Sequence, residues 1–159
     1  MRLRNLTIAC VIAPSLAACS VTASRSGAAG EGVAREVVAP AGSSTLAPYS
    51  PAIRSGGFLF LSGQVGLRPG SRELVPGGIT PETRQALDNV RTILAAAGLA
   101  PRDVVKCTVF LVDMAEYAAM NAVYGEFFAT EPPARSAVAV AALPLAARVE
   151  VECIAAARR

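Results

Sequence analysis

The clearest hydrophobic pattern in the chain is an apolar stripe at helical spacing between Thr80 and Gly98. Thr80-Pro81-Glu82 supplies a capping hydroxyl, a proline at the first helical position and an acid near the positive end of the helix dipole. Gly98 is suited to the left-handed conformation that ends a helix. The stripe predicts an amphipathic helix with one buried face. That face consists of Ala86, Leu87, Val90, Ile93, Leu94 and Ala97.

A second apolar stripe predicts a helix from Asp113 to about Phe128. Asp113 and Glu116 have the spacing of a capping box, with Asp in place of Ser or Thr. Asn121 lies in the middle of this helix, where an asparagine is ordinarily solvated or bonded to local backbone. The inner face consists of Tyr117, Met120, Tyr124, Phe127 and Phe128.

Several shorter runs have the composition of strands. Phe58–Leu61 is aromatic and aliphatic and is bounded by glycines. Val104–Val112 is rich in β-branched residues. Ala137–Ala142 carries no charge and follows Pro132-Pro133, which predicts a buried strand reached through a stiff loop. Val33–Val38 predicts a further short strand at the edge of the domain.

The last predicted strand, Arg148–Ala156, carries two carboxylates on one face. Glu150 and Glu152 are two positions apart, so their side chains project to the same side. Val149, Val151 and Cys153 face the other way. Two interpretations are open: the acidic face is solvated, or one carboxylate is buried near Arg135 and acts on a water molecule.

The order of elements is strand, helix, strand, helix, strand, strand, which predicts an α+β fold. Helices that follow alternate strands lie on one face of a mixed sheet. The other face needs a cover, which the Ala-, Gly- and Ser-rich segment Ser20–Ser44 cannot supply. The pattern therefore favours an oligomer in which sheets pack together.

Composition narrows the chemistry. Of 159 residues, 53% are apolar and 17% charged, which excludes disorder for the bulk of the chain. The net charge is +3, and without the first 18 residues 13 basic residues remain against 12 acidic ones, so no nucleic-acid partner is expected. The chain has no histidine, and its four cysteines lack a C-x-x-C spacing, so no metal site is predicted. Carboxylates, hydroxyls, backbone groups and arginine remain to do the chemistry.

The N-terminus resembles an export signal. Arg2 and Arg4 precede an apolar stretch that is too short to span a bilayer, which predicts a signal peptide over residues 1–18. The sequence Leu16-Ala17-Ala18-Cys19 resembles the lipobox of bacterial lipoproteins, which predicts lipidation of Cys19. An ordinary cleaved signal is the alternative. By resemblance to sorting signals, Ser20 favours the outer membrane. Residues 19–44 would then form a flexible tether, and residues 45–159 the folded domain.

Arg135 stands at the start of the uncharged strand, after the two prolines. A guanidinium held by a rigid loop is costly to leave unpaired. It pairs either with a carboxylate of the protein or, through its planar fork, with the carboxylate or phosphate of a ligand. Position alone leaves both open.

Six motifs occur in order and at workable spacing, and they are Ala47-Pro48-Tyr49-Ser50, Phe60-Leu61-Ser62-Gly63-Gln64, Gln85-Ala86-Leu87-Asp88-Asn89-Val90, Asn121-Ala122-Val123-Tyr124, Pro133-Ala134-Arg135-Ser136 and Val149-Glu150-Val151-Glu152. Together they resemble the RidA/YjgF family of enamine/imine deaminases over residues 46–157. The resemblance implies a chorismate-mutase-like (RidA-like) fold, in which a mixed sheet carries two helices on one face. It also implies a homotrimer with a central barrel and three sites in the clefts between subunits.

The resemblance also implies roles for individual residues. Arg135 would clamp the carboxylate of a 2-imino acid, and Glu150 would position or polarise the attacking water. No cofactor is implied. The other implied site residues are Tyr49 and Ser62, with catalytic roles, and Gly63, Asn121 and the backbone of Ala137, beside the ligand.

Some features depart from the family pattern. Ala137 stands where many members have cysteine, Pro51 where many have glutamine, and Ala47 where many have glycine. The export signal also separates this chain from the cytoplasmic substrates of the family. The leading hypothesis is a hydrolase like the 2-iminobutanoate/2-iminopropanoate deaminases, and the alternative is a non-catalytic module that binds small carboxylates. A nucleic-acid-processing role is disfavoured by the charge.

Overall fold

The computed structural model describes residues 34–43, 45 and 47–157. The predicted signal peptide, Cys19 and most of the predicted tether lie outside these residues, so those interpretations stay predictions. Within the described part of the chain, no helix has the length and hydropathy needed to cross a membrane.

The described strands form one seven-stranded mixed sheet in the order β1-β2-β3-β7-β5-β6, with β4 also paired to β7. β5 and β6 are parallel, and the other pairs are antiparallel. The two α-helices pack beside each other over one face of this sheet. The elements are β1 Glu36–Val38, β2 Ala52–Ser55, β3 Phe58–Leu61, β4 Gln64–Val65, α1 Ile79–Ala96, β5 Val104–Leu111, α2 Tyr117–Phe127, β6 Ala134–Ala139 and β7 Val149–Ala156. The predicted α+β architecture is confirmed.

The central strand β5 defines the two faces of the sheet. Cys107, Val109 and Leu111 are fully buried in the core beneath α1 and α2, and we call this side the helix face. Thr108 and Phe110 point to the opposite side, because successive strand residues alternate. No described element covers that side, which we call the open face.

Both predicted helices are present, with differences at their ends. α1 is capped by Gly78, at φ 83°, without a side-chain hydrogen bond, so the predicted capping role of Thr80 is wrong. The backbone enters the helix two residues earlier than the hydroxyl suggested. Gly98 takes the predicted left-handed conformation at φ 73°. Asp113 accepts a hydrogen bond from the Ala115 N–H and caps a 3₁₀ turn that leads into α2.

The predicted buried strand Ala137–Ala142 is wrong for the single chain. β6 spans Ala134–Ala139 and lies at the edge of the sheet, paired only with β5 among the described strands. Its residues are exposed or half-buried, and Val138 is 42% exposed. The absence of charge in this run therefore does not reflect burial within its own chain.

The open face carries an apolar row that crosses four strands. Val37, Ile53, Phe60 and Ile154 are register partners on β1, β2, β3 and β7. Val37 is 52% and Phe60 44% exposed. Solvent-exposed apolar patches of this kind are typical of surfaces that bind another protein chain. β1 itself lies within the segment predicted as a tether, at the position where the sequence also predicted a short edge strand.

Candidate functional site

Glu150 lies on β7 and projects from the open face, where its carboxyl group packs against the backbone of Gly63. A Cβ atom placed on Gly63 would lie 2.6 Å from Glu150 Cδ and 3.0 Å from Cγ, and closer still to the Oε1 oxygen. Only glycine leaves room for the carboxyl group in this position. β4 holds the contact in place, because Val65 is the register partner of Glu150.

The environment of Glu150 favours its protonated form. Burial raises the pKa of this carboxyl group above its ordinary value, and the charge of Glu152 on the same face raises it further. The carboxyl group therefore exchanges its proton closer to neutral pH than a solvated glutamate does.

Ser62 precedes Gly63 and is hydrogen-bonded to the segment that carries Tyr49. The Ser62 hydroxyl donates to the Ser50 carbonyl at 2.7 Å, and the Ser62 N–H donates to the Pro51 carbonyl at 3.0 Å. Tyr49 precedes Ser50 directly and is 45% exposed. The structure therefore brings Ser62, Gly63 and Glu150 together, with Tyr49 at their margin. We call Ser62, Gly63 and Glu150 the acid half-site.

Arg135 lies on β6 and projects from the helix face, where two tyrosines of α2 hold it. Its Nη2 donates to the Tyr117 hydroxyl at 2.8 Å. Its Cζ lies 4.5 Å from the ring centroid of Tyr124 and 5.6 Å from that of Tyr117. Burial raises the pKa of Tyr124 to about 12, although the Arg135 charge opposes this shift. The Tyr124 phenol is therefore neutral at physiological pH and leaves the arginine charge uncompensated.

Arg135 differs from several other arginines in lacking an acidic partner within the described part of the chain. The arginines that form ion pairs with carboxylates are Arg54, Arg68, Arg84, Arg91 and Arg148. Among the described residues no carboxylate forms such a pair with Arg135. Of the two interpretations of this guanidinium, the internal salt bridge finds no support here.

Asn121 and Ala137 lie on the same elements as the groups that form the arginine site, on α2 and β6. Asn121 is exposed on α2, four residues after Tyr117 and three before Tyr124, so all three share one side of the helix. Ala137 is two residues beyond Arg135 on β6 and shares its face of the sheet. We call Asn121, Arg135 and Ala137, together with the two tyrosines, the arginine half-site.

The two half-sites do not meet within one chain. Arg135 is the register partner of Cys107, whereas Glu150 is the register partner of Phe110. Cys107 and Phe110 point to opposite faces of β5. The interpretation that a carboxylate is buried near Arg135 within the chain is therefore wrong, because the strand register sends the two side chains to opposite faces.

Two features of this region were not identified from the sequence. The contacts of Tyr117 and Tyr124 with Arg135 depend on how α2 crosses the sheet, although their helical spacing placed both on the inner face. Cys107 and Cys153 form a disulfide between directly paired residues of β5 and β7, with a Cα–Cα distance of 4.1 Å. Both cysteines are buried in the core. Their pairing depends on register, which strand composition does not reveal.

The described residues contain no grouping of three or more His, Cys, Asp or Glu side chains suited to a metal ion. The groups available to a ligand are the Arg135 guanidinium, the Glu150 carboxyl, the Asn121 amide and hydroxyl groups. A guanidinium without an acidic partner is suited to a carboxylate, and a carboxyl group with a raised pKa is suited to proton transfer.

Comparisons with known proteins agree with this architecture. The profile of the family described as endoribonuclease L-PSP matches residues 39–157. A RutC family protein of Pyrococcus horikoshii is 48% identical over 110 residues, which cover 69% of this chain and 87% of the relative. The 2-iminobutanoate/2-iminopropanoate deaminase of Mus musculus is also 48% identical over 110 residues, covering 69% of this chain and 82% of the relative.

A solved structure shares the fold. The crystal structure of the E. coli YjgF gene product superposes with a TM-score of 0.68 at 40% sequence identity, covering 72% of this chain and 91% of that chain. The two chains are therefore similar in sequence as well as in fold. The chain belongs to the RidA/YjgF family, whose profile carries the endoribonuclease L-PSP description.

Proposed function

We propose that this protein hydrolyses reactive 2-imino and enamine acids to 2-oxo acids and ammonia. The proposal rests on two groups of this chain: an arginine that lacks an acidic partner among the described residues, and a carboxyl group whose pKa is raised by burial. The deaminase name of the mouse relative supports the same chemistry.

Arg135 would hold the substrate through its carboxylate. Its Nη2 donates to Tyr117, and the remaining guanidinium N–H groups are available to a ligand. A bidentate contact would fix both the position and the plane of the substrate carboxylate. Asn121, which shares a side of α2 with the two tyrosines, and the backbone at Ala137 would border the bound acid.

Glu150 would act as the general base and general acid of the reaction. Its carboxylate takes a proton from water as the water oxygen bonds to the imine carbon, and the proton passes to the nitrogen. In the second step Glu150 would carry the hydroxyl proton to the amino nitrogen, the carbon–nitrogen single bond breaks, and ammonia leaves as the carbonyl forms. A carboxyl group with a raised pKa is suited to both transfers near neutral pH. Ser62 would keep the Tyr49 segment against the reacting groups.

The complete site would form between chains, since the two half-sites lie on opposite faces of one sheet. The exposed apolar row on the open face supports association of that face with other copies. We propose a homotrimer in which the acid half-site of one copy faces the arginine half-site of its neighbour.

Export and anchoring complete the proposal. Lipidation of Cys19 after signal cleavage would hold the domain at a membrane outside the cytoplasm, with Ser20 favouring the outer membrane. The Cys107–Cys153 disulfide supports an oxidising location, because such bonds are rare in cytosolic proteins.

The proposal is tested by imine hydrolysis, with imines generated in situ by an amino-acid oxidase. Arg135→Ala and Arg135→Lys should both reduce kcat/KM on the order of 30-fold or more, because each loses a bidentate contact of about 2–5 kcal/mol. Glu150→Gln should retain carboxylate affinity and lose turnover. Arg102→Ala is the matched control, since it removes an exposed arginine from a turn.

Thermal melting of the same variants separates a binding role from a structural one. If Arg135→Ala keeps full activity in a folded protein, the deaminase proposal fails for this site. If the wild-type protein binds 2-oxo acids through Arg135 but hydrolyses no imine, the function is carboxylate binding alone.

A further inference from the structure

Tyr117 is the one described side chain that hydrogen-bonds to the Arg135 guanidinium. It is the first residue of α2, and the Asp113-capped turn fixes the backbone that leads into it. β6 is an edge strand, so its outer side offers no described strand to hold the arginine. The orientation of the guanidinium therefore depends on α2.

The two tyrosines constrain different motions of the guanidinium. The Tyr124 ring lies under it at 4.5 Å from Cζ, which limits tilting of its plane. The Tyr117 hydroxyl accepts from Nη2, which limits rotation within that plane. Tyr124 is 4% exposed, so its buried ring is held in place against the guanidinium.

Because the Tyr117 hydroxyl is neutral, its hydrogen bond leaves the positive charge of Arg135 available to a ligand. A carboxylate in this position would neutralise the guanidinium and compete with a substrate acid. A phenol oxygen accepts one N–H and leaves the positive charge in place. The Arg135 side chain is held in place before the ligand arrives, so it loses less conformational freedom on binding.

We propose that Tyr117 is a positioning residue that presents Arg135 to the carboxylate of the substrate. The inference rests on the carboxylate clamp of the proposed function. In this proposal the first residue of α2 fixes the orientation of a side chain that belongs to β6. Tyr117 acts through Arg135 and need not touch the substrate.

Tyr117→Phe tests the proposal, because it removes the hydroxyl and keeps the ring. The probe is 2-oxobutanoate, the type of acid that the proposed reaction releases, and its neutral counterpart is 2-oxobutanamide. In the full chain, Tyr117→Phe should weaken 2-oxobutanoate binding about tenfold by calorimetry and leave binding of the amide unchanged. In turnover, KM should rise about tenfold with kcat changed less than about twofold.

A double-mutant cycle separates positioning from a general structural effect. In the Arg135→Ala background, Tyr117→Phe should have no further effect on binding of 2-oxobutanoate. Thr92→Val is the matched control, since it removes an exposed hydroxyl that bonds within α1, and it should bind as the wild type does. The melting temperature of Tyr117→Phe should stay near that of the wild type.

Binding needs no turnover, so the two proposals fail separately. If Tyr117→Phe weakens binding as expected but the wild type hydrolyses no imine, the catalytic proposal fails and the positioning role remains. Three results would overturn the positioning role. Tyr117→Phe could bind 2-oxobutanoate as tightly as the wild type, or it could lose the same affinity in the Arg135→Ala background as in the wild-type background. The wild type could also fail to bind 2-oxobutanoate.

Discussion

Arg135 and Glu150 project from opposite faces of the same sheet. They pair in register with Cys107 and Phe110 of β5, whose side chains alternate. Within one chain the sheet therefore lies between the guanidinium and the carboxyl group. If both act on one substrate, each active site takes one residue from each of two neighbouring copies.

Mixed oligomers test this arrangement. We expect Arg135→Ala and Glu150→Gln proteins to be nearly inactive separately and to regain activity when co-assembled in equal amounts. In the proposed homotrimer, each mixed assembly would contain one interface, of three, at which an intact Arg135 faces an intact Glu150. Random mixing should therefore restore about a quarter of wild-type activity, as measured by imine hydrolysis.

The control for the mixing experiment is Arg135→Ala co-assembled with the double variant Arg135→Ala/Glu150→Gln. This mixture contains no intact Arg135, so it should stay inactive. Light scattering should report three chains for every mixture. Inactivity of the first mixture, despite proven co-assembly, would contradict a site shared between chains.

The helices could be predicted from the sequence because their signals are local. The stripe from Ala86 to Ala97 sets the buried face of α1 without reference to any other element. β6 could not be placed in the same way. Its uncharged residues indicate a surface away from water, but they do not reveal whether the same chain or another copy covers it.

The site could be predicted in part for a related reason. Motif resemblance selected Arg135, Glu150, Ser62 and Gly63, and the structure places the last three together. The separation of Arg135 from Glu150 depends on strand register, which pairs residues far apart in the chain. The roles of Tyr117 and of the Cys107–Cys153 pair depend on register and helix placement in the same way.

Gly63→Ala should remove turnover while the fold is retained. The new methyl group would occupy the space of the Glu150 carboxyl, so that side chain must move. Displacement of a reacting group by about 1 Å costs on the order of 100-fold in rate. Gly125→Ala is the matched control, because a Cβ there meets nothing within 4 Å. Wild-type kcat/KM in Gly63→Ala would remove Glu150 from the reaction.

The pH dependence of the reaction should reflect the raised pKa of Glu150. Because the ionised carboxylate is the base, kcat/KM should rise with pH through a pKa above that of a solvated glutamate. Glu152→Gln removes the neighbouring negative charge, which lowers the pKa of Glu150 and should move the acid limb of the profile to lower pH. An acid limb that is identical in wild type and Glu152→Gln would argue against Glu150 as the titrating group.

Cys19→Ala should release the protein from the membrane fraction and leave the domain folded. The lipid would be attached outside the described domain, so the fold does not depend on it. Mass spectrometry of the wild-type N-terminal peptide should show a diacylated cysteine, and fractionation should follow both proteins. Wild-type protein without lipid, or wholly in the cytoplasm, would refute the anchor.

The Cys107–Cys153 bond should contribute substantially to stability. It closes a loop between residues separated by 46 positions, and such a loop limits the unfolded chain. Chain-entropy estimates for loops of this size give about 4 kcal/mol, and native disulfides typically contribute about 2–4 kcal/mol. Cys107→Ala/Cys153→Ala should lose this amount in denaturant unfolding.

Reductant provides the internal comparison for the disulfide. It should destabilise the wild type towards the double variant and leave the double variant unchanged, because the variant has no bond to break. Alkylation of the unfolded, unreduced protein followed by mass spectrometry gives the direct measurement. Protein recovered from its native compartment should show unmodified peptides at Cys107 and Cys153, since bonded sulfurs cannot be alkylated. Quantitative alkylation at both positions would mean that the cysteines are reduced in the cell, and it would remove the disulfide as support for export.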